Sequence, residues 1–192
     1  MTRSPAHARI ALAAAALCAT AALAEPETFG SPGRVMVSGA VSLQNVSSDA
    51  PAATAVTTLE LAPALQIFVA RNVALGFQVD FLFATGTGSL TSIGFLPSLG
   101  YNFDLAPGIS FLPQVRPGFG VTSVSSGAAG ATSTTVTRPS VGVYAPFIFR
   151  PAGAFFVAFG PQLQQDLSAN ANQGSAAKET LWGLQTQLGG WF

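Results

Sequence analysis

Large apolar residues recur at every second position along most of this chain. Between residues 73 and 83 one face carries Val73, Leu75, Phe77, Val79, Phe81 and Phe83. The other carries Ala74, Gly76, Gln78, Asp80 and Leu82, small or polar but for the leucine. A period of two marks a β-strand, because successive side chains point to opposite faces. The same split recurs over 35–44, 58–67, 93–103, 109–119, 140–149, 155–164 and 182–192. The pattern predicts eight strands, an even number, each near the roughly 9–11 residues that a tilted strand needs to cross a bilayer. Short connections fall at 70–72, 104–108 and 150–153, and longer ones at 45–55, 85–90, 122–136 and 167–178. Short turns are expected on the periplasmic side and long loops outside, which puts both ends of the barrel on the periplasmic side.

Prolines test this assignment. Pro63, Pro97, Pro113, Pro117 and Pro161 share the apolar parity, and Pro146 sits on the other. A proline has no N–H to give to a ladder. Bulges or unpaired carbonyls are therefore expected at Pro97, Pro113 and Pro117. Pro107-Gly108 is ordinary turn chemistry.

Composition selects the environment. Only 8% of residues are charged and 49% are hydrophobic, where a soluble domain has nearer a quarter charged. The minor face of the strands is mostly Gly, Ala, Ser and Gln, whereas a surface in water should be rich in charge. A soluble carrier barrel would turn the apolar face inward. A transmembrane barrel turns it to lipid, and hides its hydrophobicity in alternation. The fold expected is an all-β, eight-stranded antiparallel up-and-down transmembrane β-barrel.

The first residues set the compartment. Arg3 and Arg9 precede the apolar run "ALAAAALCATAAL", which ends in the small-x-small pattern Ala22-Leu23-Ala24. This reads as a signal peptide, 1–24, cleaved near Ala24. A short periplasmic segment, 25–33, and a barrel, 34–192, follow. Cys18 and His7, the chain's one cysteine and one histidine, lie in the leader. From Glu25 on there is no thiolate, imidazole or disulfide, and neither a metal nor a cofactor is expected. Six basic residues against eight acidic leave a net charge of −2, which offers nothing to nucleic acid.

The last residues, "LWGLQTQLGGWF", resemble the C-terminal strand of bacterial outer-membrane barrels, with Phe192 as the terminal aromatic and Leu188 at an apolar site. Gly190 departs from that pattern, which favours a bulkier residue. "LAPALQIFVARNVALGFQVDF" and its near repeat "FLPSLGYNFDLAPGISFLP" resemble small outer-membrane barrels of the OmpA-like and OmpW-like kind. The resemblance implies a place in the Gram-negative outer membrane. It implies contact with membrane lipid and lipopolysaccharide, and with the barrel-insertion machinery through the C-terminal strand.

Four charges are expected in the lumen. Glu60 and Asp80 lie on neighbouring strands at similar depth, facing Arg116 and Arg138. Such a cluster reads as a salt-bridge plug in a barrel narrow enough for side chains to fill, or else as the polar path of a small porin-like channel. Lipid A deacylases and outer-membrane proteases of barrel type rely on a histidine, absent after the leader, so no enzyme is expected. Aromatic girdles are expected from Phe68, Tyr101, Phe103, Phe111, Phe149, Phe155, Trp182 and Trp191. The Gly86–Gly88 pair precedes no helix and is no phosphate loop.

Overall fold

The computed structural model describes residues 28–46, 56–86, 88–126, 133–151, 153–172 and 174–192. The expected leader, 1–24, and residues 25–27 lie outside them. Alternation becomes strand throughout. The segments are β1 Val35–Val46, β2 Val56–Ala70, β3 Val73–Thr85, β4 Gly88–Tyr101, β5 Phe103–Ala106, β6 Ile109–Phe111 and β7 Gln114–Ser126. They continue as β8 Thr134–Tyr144, β9 Phe147–Phe149, β10 Phe155–Asp166, β11 Asn170–Ala171, β12 Gly174–Ser175 and β13 Thr180–Trp191.

These segments form eight staves. The fourth is β4 with β5, the fifth β6 with β7, and the sixth β8 with β9. Each stave pairs antiparallel with the next, and β13 returns to β1. The chain is thus an eight-stranded antiparallel β-barrel. β11 and β12 form a small hairpin in the last long connection, against β8, where the pattern predicted only a loop. The connection expected to be long at 85–90 is short, since β3 ends at Thr85 and β4 begins at Gly88.

The prolines interrupt the ladder but do not shift it. β4 and β7 pair at Phe95↔Phe119 and again at Leu99↔Val115. The register is the same on both sides of the gap, and it sets Pro97 opposite Pro117. Of the expected bulges or unpaired carbonyls, there is no bulge at Pro97 and Pro117 but a gap in the ladder, because two facing prolines both lack the N–H. Pro113 and Pro146 break the fifth and sixth staves at one height, where Leu112 N–H still donates to the Pro146 carbonyl at 3.0 Å. Gly160 faces this break. A Cβ there would meet the Ala145 carbonyl and, at 2.5 Å, the Pro146 Cα. Only glycine lets the strands approach so closely.

The two parities face where the sequence put them. Ala62, Ala64, Gln66, Gln78, Leu96, Ser98, Gln114 and Gln187 are buried inside. Leu65, Phe77, Phe95, Leu99, Val115 and Val143 are exposed outside. The aromatics divide differently from the girdle expected. Tyr101, Phe103, Phe149, Phe155 and Trp182 face outward and are exposed, and Phe111 shares their parity. Tyr101, Phe103, Phe111 and Phe147 form a row with ring centroids 4.8, 6.3 and 5.1 Å apart. Phe68 and Trp191 are not girdle residues. Each falls on the inward parity, Phe68 fully buried and Trp191 packed against the core.

One seam differs from the rest. β1 and β2 pair along all twelve residues of β1, but β1 and β13 pair only from Met36↔Trp191 to Gly39↔Leu188. Reciprocal bonds between Val35 and Phe192, of 2.8 and 3.0 Å, extend the seam by one rung. Above Gly39 no rung joins the two strands among the described residues. Flanking side chains are correspondingly bare, Val41 at 62% and Leu184 at 68% exposed, against 39% for Leu65 within the wall.

A cysteine pair in place of Gly39 and Leu188 should oxidise readily to a disulfide, since paired Cα atoms lie within bridging range. A pair at Leu43 and Leu184, the same register continued, should stay reduced. Gel mobility with and without reductant checks this. A disulfide at the second pair would mean that the seam is zipped along its length.

Candidate functional site

The interior has two filled tiers and a small cavity. The tier nearest the short turns is apolar. Met36, Phe68, Ala74, Leu112, Ile148, Phe156 and Ala158 form one cluster, and Phe29 enters it from below. The Phe29 ring meets Phe68 edge-on at 5.2 Å and Trp191 at 5.7 Å. Such pairs contribute about 0.5–1.5 kcal/mol beyond the area they bury. The Arg150 guanidinium lies 4.3 Å over the other side of the Phe29 ring. Burial lowers the Arg150 pKa, and Asp104, 3.7 Å away, opposes that shift.

Backbone bonds fix the Phe29 segment across the mouth. Gly33 N–H donates to the Phe68 carbonyl at 2.7 Å, and Asn72 N–H to the Gly30 carbonyl at 2.9 Å. Gly30 has φ +90°, a conformation that favours glycine, and a Cβ there would strike the Asn72 side chain. The residues read from sequence as a short periplasmic segment thus include a stopper for the barrel.

The middle tier is polar and centres on Arg116, 4% exposed. Its Nη1 donates to Gln78 Oε1 at 3.2 Å and to Gln185 Oε1 at 3.3 Å. Its Nε and Nη2 both reach Gln114 Oε1, at 3.3 and 3.1 Å. The guanidinium lies 4.3 Å from the Tyr144 ring centroid. Around it the amides join one another. Gln66 donates to Gln114 at 2.8 Å and Gln187 to Gln78 at 2.9 Å, while Ser38 reaches Gln187 at 3.3 Å. Tyr144 donates its hydroxyl to the Gln185 backbone carbonyl at 3.3 Å. The network joins β1, β2, β3, β7, β8 and β13 across the lumen. A buried charge is costly unless it is hydrogen-bonded, and glutamine oxygens meet that need here.

The four charges expected to form one cluster divide in two. Glu60, Asp80 and Arg116 line the same cavity, of about 40 Å³, together with Tyr144 and Gln185. That is room for about one water molecule. No ion pair among the described residues joins Arg116 to either acid. Asp80 instead accepts from Gln78 Nε2 at 2.6 Å. The expected salt-bridge plug is therefore an amide plug, because glutamines at the same height reach Arg116 first.

Arg138 is elsewhere. Its strand position, opposite Gly120, places it toward the outer rim. There Nη1 pairs with Asp166 and Nη2 with Glu179, both at 2.8 Å. Nη1 also reaches the Ala177 carbonyl at 3.2 Å. Asp166 Oδ2 takes the Glu179 N–H at 3.0 Å as well, so Arg138 ties down the base of the last outer connection. Asp166, Glu179, Phe29 and the glutamines were not singled out from sequence. The available signal was the run of glutamines on the inward parity, which includes Gln66, Gln78, Gln114, Gln185 and Gln187. Nothing in a strand pattern points to Phe29.

Two substitutions separate the tiers. Phe29→Ala should lower the unfolding free energy in micelles by about 3–5 kcal/mol, the usual cost of emptying a buried aromatic site. Arg116→Ala should cost about 1–3 kcal/mol, since it strips the Gln185 oxygen of its donor while Gln78 and Gln114 keep Gln187 and Gln66. Urea midpoints in detergent check both, and an unchanged midpoint for Phe29→Ala would remove the stopper.

No family model matches the sequence, and no curated protein matches it. Among solved structures, the crystal structure of Neisserial surface protein A (NspA) is similar, with a TM-score of 0.54 and 13% identity. The match covers 82% of this chain and 95% of that one. At this identity the likeness is one of fold, and it agrees with the ring of eight antiparallel staves that the strand pairings define here.

Proposed function

We propose that this chain is an integral outer-membrane protein whose barrel is closed to solutes, with a structural or cell-surface role and no catalytic one. The observation that carries this reading is the two-tier filling of the lumen, the amide network about Arg116 above and the Phe29 cluster below. An eight-stranded ring is just wide enough for side chains to fill, and here they fill it. A conducting pore would need a continuous watered path, and about 40 Å³ beside Arg116 is not one.

Membrane insertion is supported by the outer face. Its large apolar side chains are exposed on all eight staves, from Val41 and Leu65 round to Leu163 and Leu188. A soluble carrier would have to solvate that belt. The alternation, the leader-like start and the likeness to a surface-protein barrel favour the outer membrane of a Gram-negative cell, with lipid and lipopolysaccharide as its surroundings. Within that class the repeated strand motifs favour the OmpA-like and OmpW-like kind. Phe192, Leu188 and the last strand fit the insertion machinery, and Phe192 also closes the seam through its bonds to Val35. Absence of histidine beyond the leader and the engagement of Arg116 by amides favour a non-enzymatic role.

The protein should partition with outer membranes and show heat-modifiable gel mobility. In planar bilayers it should give no steady channels. Recovery in the soluble periplasmic fraction would overturn the membrane reading. Steady conductance that changes in Arg116→Ala would overturn the closed lumen.

A further inference from the structure

The outer wall carries a hollow of about 400 Å³ on its lipid-facing side. Val73, Leu99, Tyr101, Pro113, Val115 and Val143 line most of it. The register explains why these residues meet. Val73 pairs with Tyr101, and two residues along the same face Leu99 pairs with Val115 and Val115 with Val143, so two neighbouring rows meet across β3, β4, β7 and β8. Beside that row two staves lose their strand conformation together, at Leu112–Pro113 and at Ala145–Pro146. The Pro113 carbonyl is held by the Tyr101 N–H at 3.2 Å. The dent lies where Pro113 takes its stave out of the strand conformation.

Two further features frame the hollow. Toward the short turns runs the aromatic row of Tyr101, Phe103, Phe111 and Phe147. In the turn just before Val73 stands Arg71, exposed, with no ion pair among the described residues.

We propose that this hollow is a binding site for one phospholipid of the periplasmic leaflet, an acyl chain lying in the hollow and the phosphate resting on Arg71. The site rests on the membrane reading and on the short turns facing the periplasm. At bilayer depth no water is present to fill a concavity in the wall, so a methylene chain fills it. The size falls within the range of about 300–1,000 Å³ usual for small-molecule sites. Concave walls give a chain dispersion contacts on several sides, where a convex barrel gives them on one. A guanidinium matches phosphate through paired donors. The location on the short-turn side selects a phospholipid over lipopolysaccharide.

Native mass spectrometry of the folded full chain, released from maltoside micelles doped with phosphatidylethanolamine, tests the site. Wild type should retain one phospholipid per chain. Val115→Trp, which fills the hollow, should abolish retention. Arg71→Ala should lower it about fivefold, the upper end for an exposed ion pair. Leu65→Trp, on the lipid face of β2, should leave it unchanged. Heat-modifiable mobility reports folding for each variant, and Arg71→Ala decides the matter if Val115→Trp does not fold. No retained phospholipid in wild type, or equal loss in Leu65→Trp, would overturn the site. If wild type inserts in membranes but retains nothing, this site alone falls. If it does not insert, the membrane reading falls with it.

Discussion

A sheet leaves a row of backbone groups unpaired at each edge unless it closes on itself. In this chain that closure is narrow. Four rungs between β1 and β13, with the reciprocal bonds of Val35 and Phe192, join the last stave to the first. Every other seam is longer. The apolar cluster sits at the height of the closed part of the seam, with Met36 and Trp191 both rungs of the ladder and members of the core. Closure and core packing therefore stabilise each other, and the unzipped edges above Gly39 are left to the outer half.

The lumen follows from the width this closure imposes. Side chains from opposite staves meet, so the interior must be either tightly filled or well hydrogen-bonded. The chain does both at different heights. Near the short turns, rings and methyls fill the space with Phe29 as the last piece. Higher up, Arg116 brings a charge into a buried site, and oxygens of Gln78, Gln114 and Gln185 receive its donors. Neutral acceptors take the guanidinium's donors, while Asp80, which lines the same cavity, is held by Gln78. Opposite charges are kept for the rim, where Arg138 meets Asp166 and Glu179 nearer to water.

The prolines belong to the same account. On the apolar outer face the ring of a proline is another apolar surface, so it is tolerated there, while its missing N–H removes a rung. Facing pairs such as Pro97 and Pro117 confine that loss to one gap and leave the register intact. Where prolines fall on adjacent staves at one height, as Pro113 and Pro146 do, both staves leave the strand conformation together.

Strand identity, strand number and facing were legible in the sequence, because a period of two is a local property of the backbone. Gln66 and Leu65 go to opposite faces whatever their neighbours are. So was the scarcity of charge that points the apolar face outward. Partner choice was not legible. Arg116 was read against acids on charge and depth, but its partners are Gln114 on its own strand and side chains that three other staves bring to its height. Arg138 was read with it and lies at the rim, brought to Asp166 and Glu179 by a connection that folds back on β8. Phe68 and Trp191 were read as girdle residues by their place near the turns, although parity had already turned them inward. Phe29 left no periodic trace at all. The sequence by itself determined which residues face outward and which face the lumen. Only the tertiary structure decided who meets whom inside, because those contacts span the ring and depend on the height at which each stave places its side chains.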